Sequence, residues 1–125
     1  MSLGQELGWE VLEQFVESWF DYSEQRMKSA ISGLPPGRMI SRSVHDAFPG
    51  TPPEGIEVTA EVKVDTKTAR IAVDLRDNPD CMPCGFNLSE ACSRTAAMVG
   101  VFNGLGISVP TNEGSFRRID IRLRE

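Results

Sequence analysis

The chain has 125 residues, of which 40% are hydrophobic and 25% charged, and a formal net charge of −5. That is the size and mix of one soluble globular domain, too short for two full ones. The acidic balance argues against nucleic-acid binding through a basic surface, and no apolar run approaches the roughly 18 to 20 residues that span a bilayer.

In chain order, the first third predicts one long helix. Trp9, Leu12, Phe15, Val16, Trp19, Phe20, Met27, Ala30 and Ile31 fall mostly on one side at helical spacing, and Glu6, Glu10, Glu13, Glu17, Asp21 and Glu24 form an acidic stripe on another. The stripe reads first as a solvated face and second as a docking face for a basic partner. Gly33 and Pro35-Pro36-Gly37 stop the helix. A weakly patterned stretch from Met39 to Phe48 offers a strand, closed by the Pro- and Gly-rich loop 49–55. Ile56, Val58, Ala60, Val62 and Val64 then alternate strictly with polar residues, Asp65-Thr66-Lys67 turns, and Ala69, Ile71, Val73 and Leu75 return: a hairpin with one wet face.

A loop over 76–86 leads into a second helix, capped by Asn87 with Glu90 three positions on. Its apolar side carries Leu88, Ala91, Cys92, Thr95, Met98, Val99, Phe102 and Leu105, and Gly104 and Gly106 end it. Ile119, Ile121 and Leu123 alternate with charged residues in a last strand. The order predicts a single α+β domain over 1–125, with a long N-terminal helix, an antiparallel or mixed sheet of about four strands, and a second helix packed on one face. Met1-Ser2-Leu3 reads as an expression scar, and a strand still running near Glu125 suggests an excised fragment.

Chemistry-bearing motifs are few. The HExxH pair, the Walker A loop and the GxSxG elbow are absent, and the single histidine, His45, cannot build a multi-histidine centre. Cys81-Met82-Pro83-Cys84 precedes a helix, where thiols acquire lowered pKa values, and the spacing permits a disulfide or half of a zinc site that Cys92 and His45 would complete. Cys92 also falls on the apolar side, where a cysteine serves as a small hydrophobe. Three cysteines and no secretory signal suit a reducing, cytoplasmic compartment. Asp74, Asn87, Arg94, Asn112, Glu113 and Arg117 sit at element ends, where scaffolds present binding groups. They read either as a site or as caps and turn formers.

Several phrases taken together resemble the hydantoinase B/oxoprolinase family of N-methylhydantoinase B-like subunits. They are Asp21-Tyr22-Ser23-Glu24-Gln25-Arg26-Met27 with Ala30-Ile31 and Leu34-Pro35-Pro36-Gly37, then Val73-Asp74-Leu75, Gly85-Phe86-Asn87 and Ser93-Arg94-Thr95-Ala96. The most specific is Pro110-Thr111-Asn112-Glu113-Gly114-Ser115-Phe116-Arg117, similar to a Pro-x-Asn-Glu-Gly-x-x-Arg signature. The resemblance covers nearly all of 15–124. It implies a piece of a longer subunit in an ATP-dependent hydrolase of cyclic amides such as hydantoins and oxoproline, or in a related carboxylase. It implies ATP and a divalent metal in the parent complex, with none held by this piece, whose family-type His- and Asp-bearing metal segment lies elsewhere. The implied partners are a hydantoinase A-type ATPase subunit and the rest of its own subunit, with a homo-oligomer left open. The piece alone is then expected to be inactive. It further suggests that Asn112, Glu113 and Arg117 gather near Asn87 and Arg94, as a site wall or as a structural staple. The alternative is a stand-alone CxxC thiol-redox or zinc-binding module.

Overall fold

The computed structural model describes residues 3–106 and 109–124; Met1 and Ser2 of the suggested scar, and Glu125, lie outside the described residues. The first helix is two helices, α1 (Leu3–Leu7) and α2 (Trp9–Ser32). Gly8 separates them at φ 83°, a conformation that interrupts a helix and that glycine adopts without penalty. Gly4 lies under the Trp9 indole, where a Cβ would come within 2.7 Å of the ring. At the far end Gly33 N–H donates to the Ala30 carbonyl and Leu34 N–H to that of Ile31, and the two prolines end the helix there.

The sheet runs in sequence order, β1 (Gly37–His45), β2 (Ile56–Asp65), β3 (Arg70–Asp74) and β4 (Ile119–Arg122). β1, β2 and β3 are antiparallel; β4 joins β3 in parallel, so the sheet is mixed. A parallel neighbour needs a crossover, and α3 (Glu90–Leu105) with the short α4 (Glu113–Phe116) supplies it. The β2–β3 hairpin is the expected one, with Val62 opposite Val73 and Val64 opposite Ile71. Asp65 closes its turn by accepting from the backbone N–H groups of Lys67 and Thr68 at 2.9 and 3.1 Å. β4 ends at Arg122, earlier than the alternation to Leu123 suggested.

One face of the sheet is apolar, and it is dry over β3 and β4. Met27, Ala30 and Ile31 of α2 meet Ile71, Val73, Ile119 and Ile121 of the strands, with Leu105 and Val109 beside them. The other face carries ion pairs, Arg38 with Glu61, Arg76 with Asp74 and Arg122 with Asp120. This is the two-layer α+β fold expected from the element order.

Two expectations for α3 need correction. Its N-cap is Ser89, whose Oγ accepts from Cys92 N–H at 3.3 Å; Asn87 is engaged elsewhere, and Glu90 pairs with Arg94 at 2.8 Å. Its inner side is Ala97, Met98, Val101, Phe102 and the buried Leu105, while Leu88, Ala91, Cys92 and Val99 are exposed. The C-cap is Gly106, left-handed at φ 62°.

Ile31→Ala is expected to destabilise the chain by about 2–4 kcal/mol, through lost burial plus a cavity. Val99→Ala, on the exposed side of α3, is expected to stay within about 0.5 kcal/mol. Urea unfolding midpoints of the two variants check the contrast.

Candidate functional site

The Asn112-Glu113-Gly114 phrase builds a joint between α2 and α4. Asn112 caps α4: its Oδ1 accepts from Gly114 N–H at 3.0 Å, while its Nδ2 donates to Ser23 Oγ at 2.8 Å. Ser23, fully buried on α2, donates in turn to the Trp19 carbonyl at 2.8 Å. The buried Ser115 hydroxyl donates to the Asn112 carbonyl at 2.8 Å. Gly114 is pressed against the Phe20 backbone, and any Cβ there would overlap the Phe20 carbonyl.

Arginines cover this joint. Arg117 reaches Asp21 at 3.1 Å, Glu24 at 3.3 Å and Glu17 at 3.5 Å, with its guanidinium 5.9 Å from the Phe20 ring centre. Arg118 pairs with Glu24 through both Nε, at 2.8 Å, and Nη2. The Arg118 guanidinium foremost, with Lys28 and Arg117, lowers the Glu24 carboxyl to about 2 from its ordinary 4.5, against a smaller opposing effect of burial.

The expected gathering of six polar residues does not form. Glu113 is exposed and pairs with no basic side chain among the described residues; Arg117 turns instead to the acids of α2. Asp74 is bound by Arg76, with Oδ2 2.6 Å from Nη2, and that guanidinium holds its carboxyl down at about 2. Arg94 pairs with Glu90 and donates to the Ile121 carbonyl at 3.0 Å. Asn87 braces the preceding loop, accepting from Met82 N–H at 2.9 Å and donating to the carbonyls of Met82 and Cys84 at 2.6 and 3.0 Å. Neither version of the expected Asn112–Glu113–Arg117 cluster forms beside Asn87 and Arg94; Asn112 and Arg117 are held instead to α2. Ser23, Phe20 and Glu24 supply the α2 side of this joint, a role that helical spacing alone did not assign to them.

The loop 76–86 is held at several points. Asn78 extends the sheet by side chain alone: its Oδ1 accepts from Thr59 N–H, and its Nδ2 donates to the carbonyls of Thr59 and Leu75, at 2.7–2.8 Å. Arg124 donates to the carbonyls of Arg76 and Asn78 and pairs with Asp80 at 2.7 Å. Farther on, Phe86 meets Phe48 and His45 with ring centres 4.5 and 4.8 Å apart. Between this loop, the flank of α3 at Ala97 and Val101, and the uncovered face of β2 at Val58 and Val62 lies an apolar groove of about 1070 Å³. It is the candidate binding site by size and lining.

Cys81, Cys84 and Cys92 are free thiols, the first and last exposed. Cys92 therefore does not serve as the buried small hydrophobe its helical position suggested. His45 packs against Phe48 and Phe86, and no three His, Cys, Asp or Glu side chains come together as metal donors among the described residues. Arg117 and Arg118 are engaged by carboxylates, so they form no open cradle for a triphosphate.

A clasp built on Asn-Glu-Gly and joining a long helix to a four-stranded mixed sheet defines an α+β segment of a recognisable kind. The chain belongs to the hydantoinase B/oxoprolinase family, whose sequence profile matches residues 1–125. Its fold is similar to part of the ATP-dependent caprolactamase from Pseudomonas jessenii, with a TM-score of 0.82 and 18% identity. The similarity covers 98% of this chain and 21% of that chain, so the sequence spans about a fifth of the caprolactamase chain. No curated protein matches the sequence. Among the described residues, no helix is long and apolar enough to cross a membrane.

Gly114→Ala is expected to cost about 3 kcal/mol or more, because the new methyl would overlap the Phe20 backbone. Glu113→Gln is expected to leave thermal unfolding unchanged within about 0.5 kcal/mol. Calorimetry on the two variants distinguishes them. For Glu24 the folded pKa lies below the unfolded one, so its stabilisation is complete above about pH 5 and is lost as pH falls from about 4.5 to about 2. Glu24→Gln is expected to cost about 1–3 kcal/mol at neutral pH. The gap between parent and variant, followed by urea unfolding, should close near about pH 2.

Proposed function

We propose that this chain is a scaffold segment of a subunit of an ATP-dependent cyclic-amide hydrolase of the hydantoinase/oxoprolinase type, or of a related carboxylase. The observation that carries this reading is the family match over residues 1–125, with a fold shared with 21% of an ATP-dependent caprolactamase chain. In this reading the sequence is a fragment of a longer subunit. ATP and the divalent metal are held by an A-type ATPase subunit and by the rest of this subunit, in the cytoplasm. The segment contributes geometry: the clasp on α2 fixes β4, and β4 with Arg94 and Arg124 fixes α3 and the loop that borders the groove. Substrates would be ring amides of the hydantoin and oxoproline class, N-methylhydantoin included.

The test is turnover. The chain alone, given ATP, a divalent metal and hydantoin, N-methylhydantoin or 5-oxoproline, is expected to release no product above the blank. Hydrolysis by the single chain would overturn the scaffold reading. The thiol-module reading rests on the free, accessible Cys81 and the half-buried Cys84. Stoichiometric zinc after purification without chelator, or a reversible Cys81–Cys84 disulfide at an oxidoreductase-like potential, would favour it instead.

A further inference from the structure

We infer that Cys81 and Cys84 form a disulfide site, and that closing it latches the border of the groove. Two thiols so near in sequence pair only if the chain between them turns back. Here that turn is already built. The Met82 carbonyl accepts from Cys84 N–H at 2.7 Å and from Asn87 Nδ2 at 2.6 Å, and the Cys81 sulfur lies 3.9 Å from the same oxygen. Both cysteines therefore converge on one carbonyl. Asn87 also accepts from Met82 N–H and donates to the Cys84 carbonyl, so one side chain holds the whole turn. Cys92, on α3, takes no part in it.

The turn is seated from a second direction. Gly50, at φ 92°, lies so close that a Cβ there would overlap the Pro83 carbonyl and press on the Cys84 Cβ. Two residues after Cys84, Phe86 packs against Phe48 and His45. The Cys-Met-Pro-Cys turn thus joins loop 49–55 to the border of the groove, which Cys81, Met82 and Cys84 themselves line. Fixing the turn fixes both.

The step is a two-electron exchange with a low-molecular-weight disulfide, for which glutathione disulfide is the probe. The thiolate of the more exposed Cys81 attacks it and releases one glutathione thiolate; the Cys84 thiolate then attacks the Cys81 sulfur and releases the second. The pair gives up two electrons and two protons, and the glutathione disulfide becomes two thiols. This site goes beyond the scaffold reading and stands whether or not that reading does.

The chain is equilibrated in graded ratios of oxidised to reduced glutathione and followed by mass, thiol titration and amide exchange. Oxidation is expected to remove two hydrogens and leave one of the three thiols free, and none in Cys92→Ser. The amides of Cys84 and, across the seat, of Thr51, which donates to the Phe48 carbonyl at 3.0 Å, should exchange several-fold more slowly in the oxidised chain. Asn87→Ala frees the turn but keeps both sulfurs, so half-oxidation should need a ratio about tenfold higher. Glutathione retained on Cys81 beside a free Cys84, a bond to Cys92 or to a second chain, an unshifted Asn87→Ala midpoint, or a closed ring that leaves both amides unchanged would each overturn the inference. Catalysed reduction of insulin disulfides by the pair would do so as well, and would return these cysteines to the thiol-module reading.

Discussion

The backbone of Gly114 rests directly on the backbone of Phe20, and the rest of the structure depends on that approach. Two main chains come this close only where one of them carries no side chain. Around the contact the polar groups are satisfied: the Asn112 amide, the Ser23 hydroxyl and the Trp19 carbonyl form a chain of hydrogen bonds with no loose end, and no buried side-chain polar atom lacks a partner among the described residues. Burial of such a chain stabilises only because it is complete. α2 is thereby held against α4, α4 leads directly into β4, and β4 completes the dry face of the sheet.

The ionic layer above the joint is uneven in effect. Glu24 and Arg118 are shielded, with side chains 15% and 17% exposed, and their pairing is the shielded part of the layer. Arg117 spreads over three carboxylates, but its partners Glu17 and Asp21 are open to solvent, where such pairs contribute little. The charged stripe of α2 therefore divides in function along its length. Its later acids serve the fold, and its earlier ones face solvent.

Much of the fold was legible in the sequence, for reasons visible in particular residues. Ile56 to Val64 alternate because one face of β2 is apolar and the other polar, and Met27, Ala30 and Ile31 keep helical spacing because they meet one sheet. β1 was faint because all of it is exposed: Met39 and Val44 lie on opposite faces, so burial imposes no period. The break at Gly8 was missed because apolar spacing continues through Trp9 and Leu12 while the backbone turns. At α3 two suitable caps stood two residues apart, and the loop engaged Asn87, leaving Ser89 to the helix. The candidate site was half legible. The family signature located Asn112, Gly114 and Arg117, but local spacing cannot reveal a partner 89 residues away, such as Ser23.

That separation also bears on the order in which the chain acquires structure. α2 forms from local contacts, yet the partners of Ser23 and Glu24 lie near the other end of the sequence. Closing so long a loop is entropically costly and slow compared with winding a helix or zipping the β2–β3 hairpin. During synthesis α2 and the hairpin are complete before α4 and β4 have left the ribosome, so the side of α2 that receives α4, around Phe20 and Ser23, stays open to solvent until they arrive. The close fit that stabilises the finished domain thus sets a period in which the nascent chain exposes apolar surface and depends on protection from aggregation.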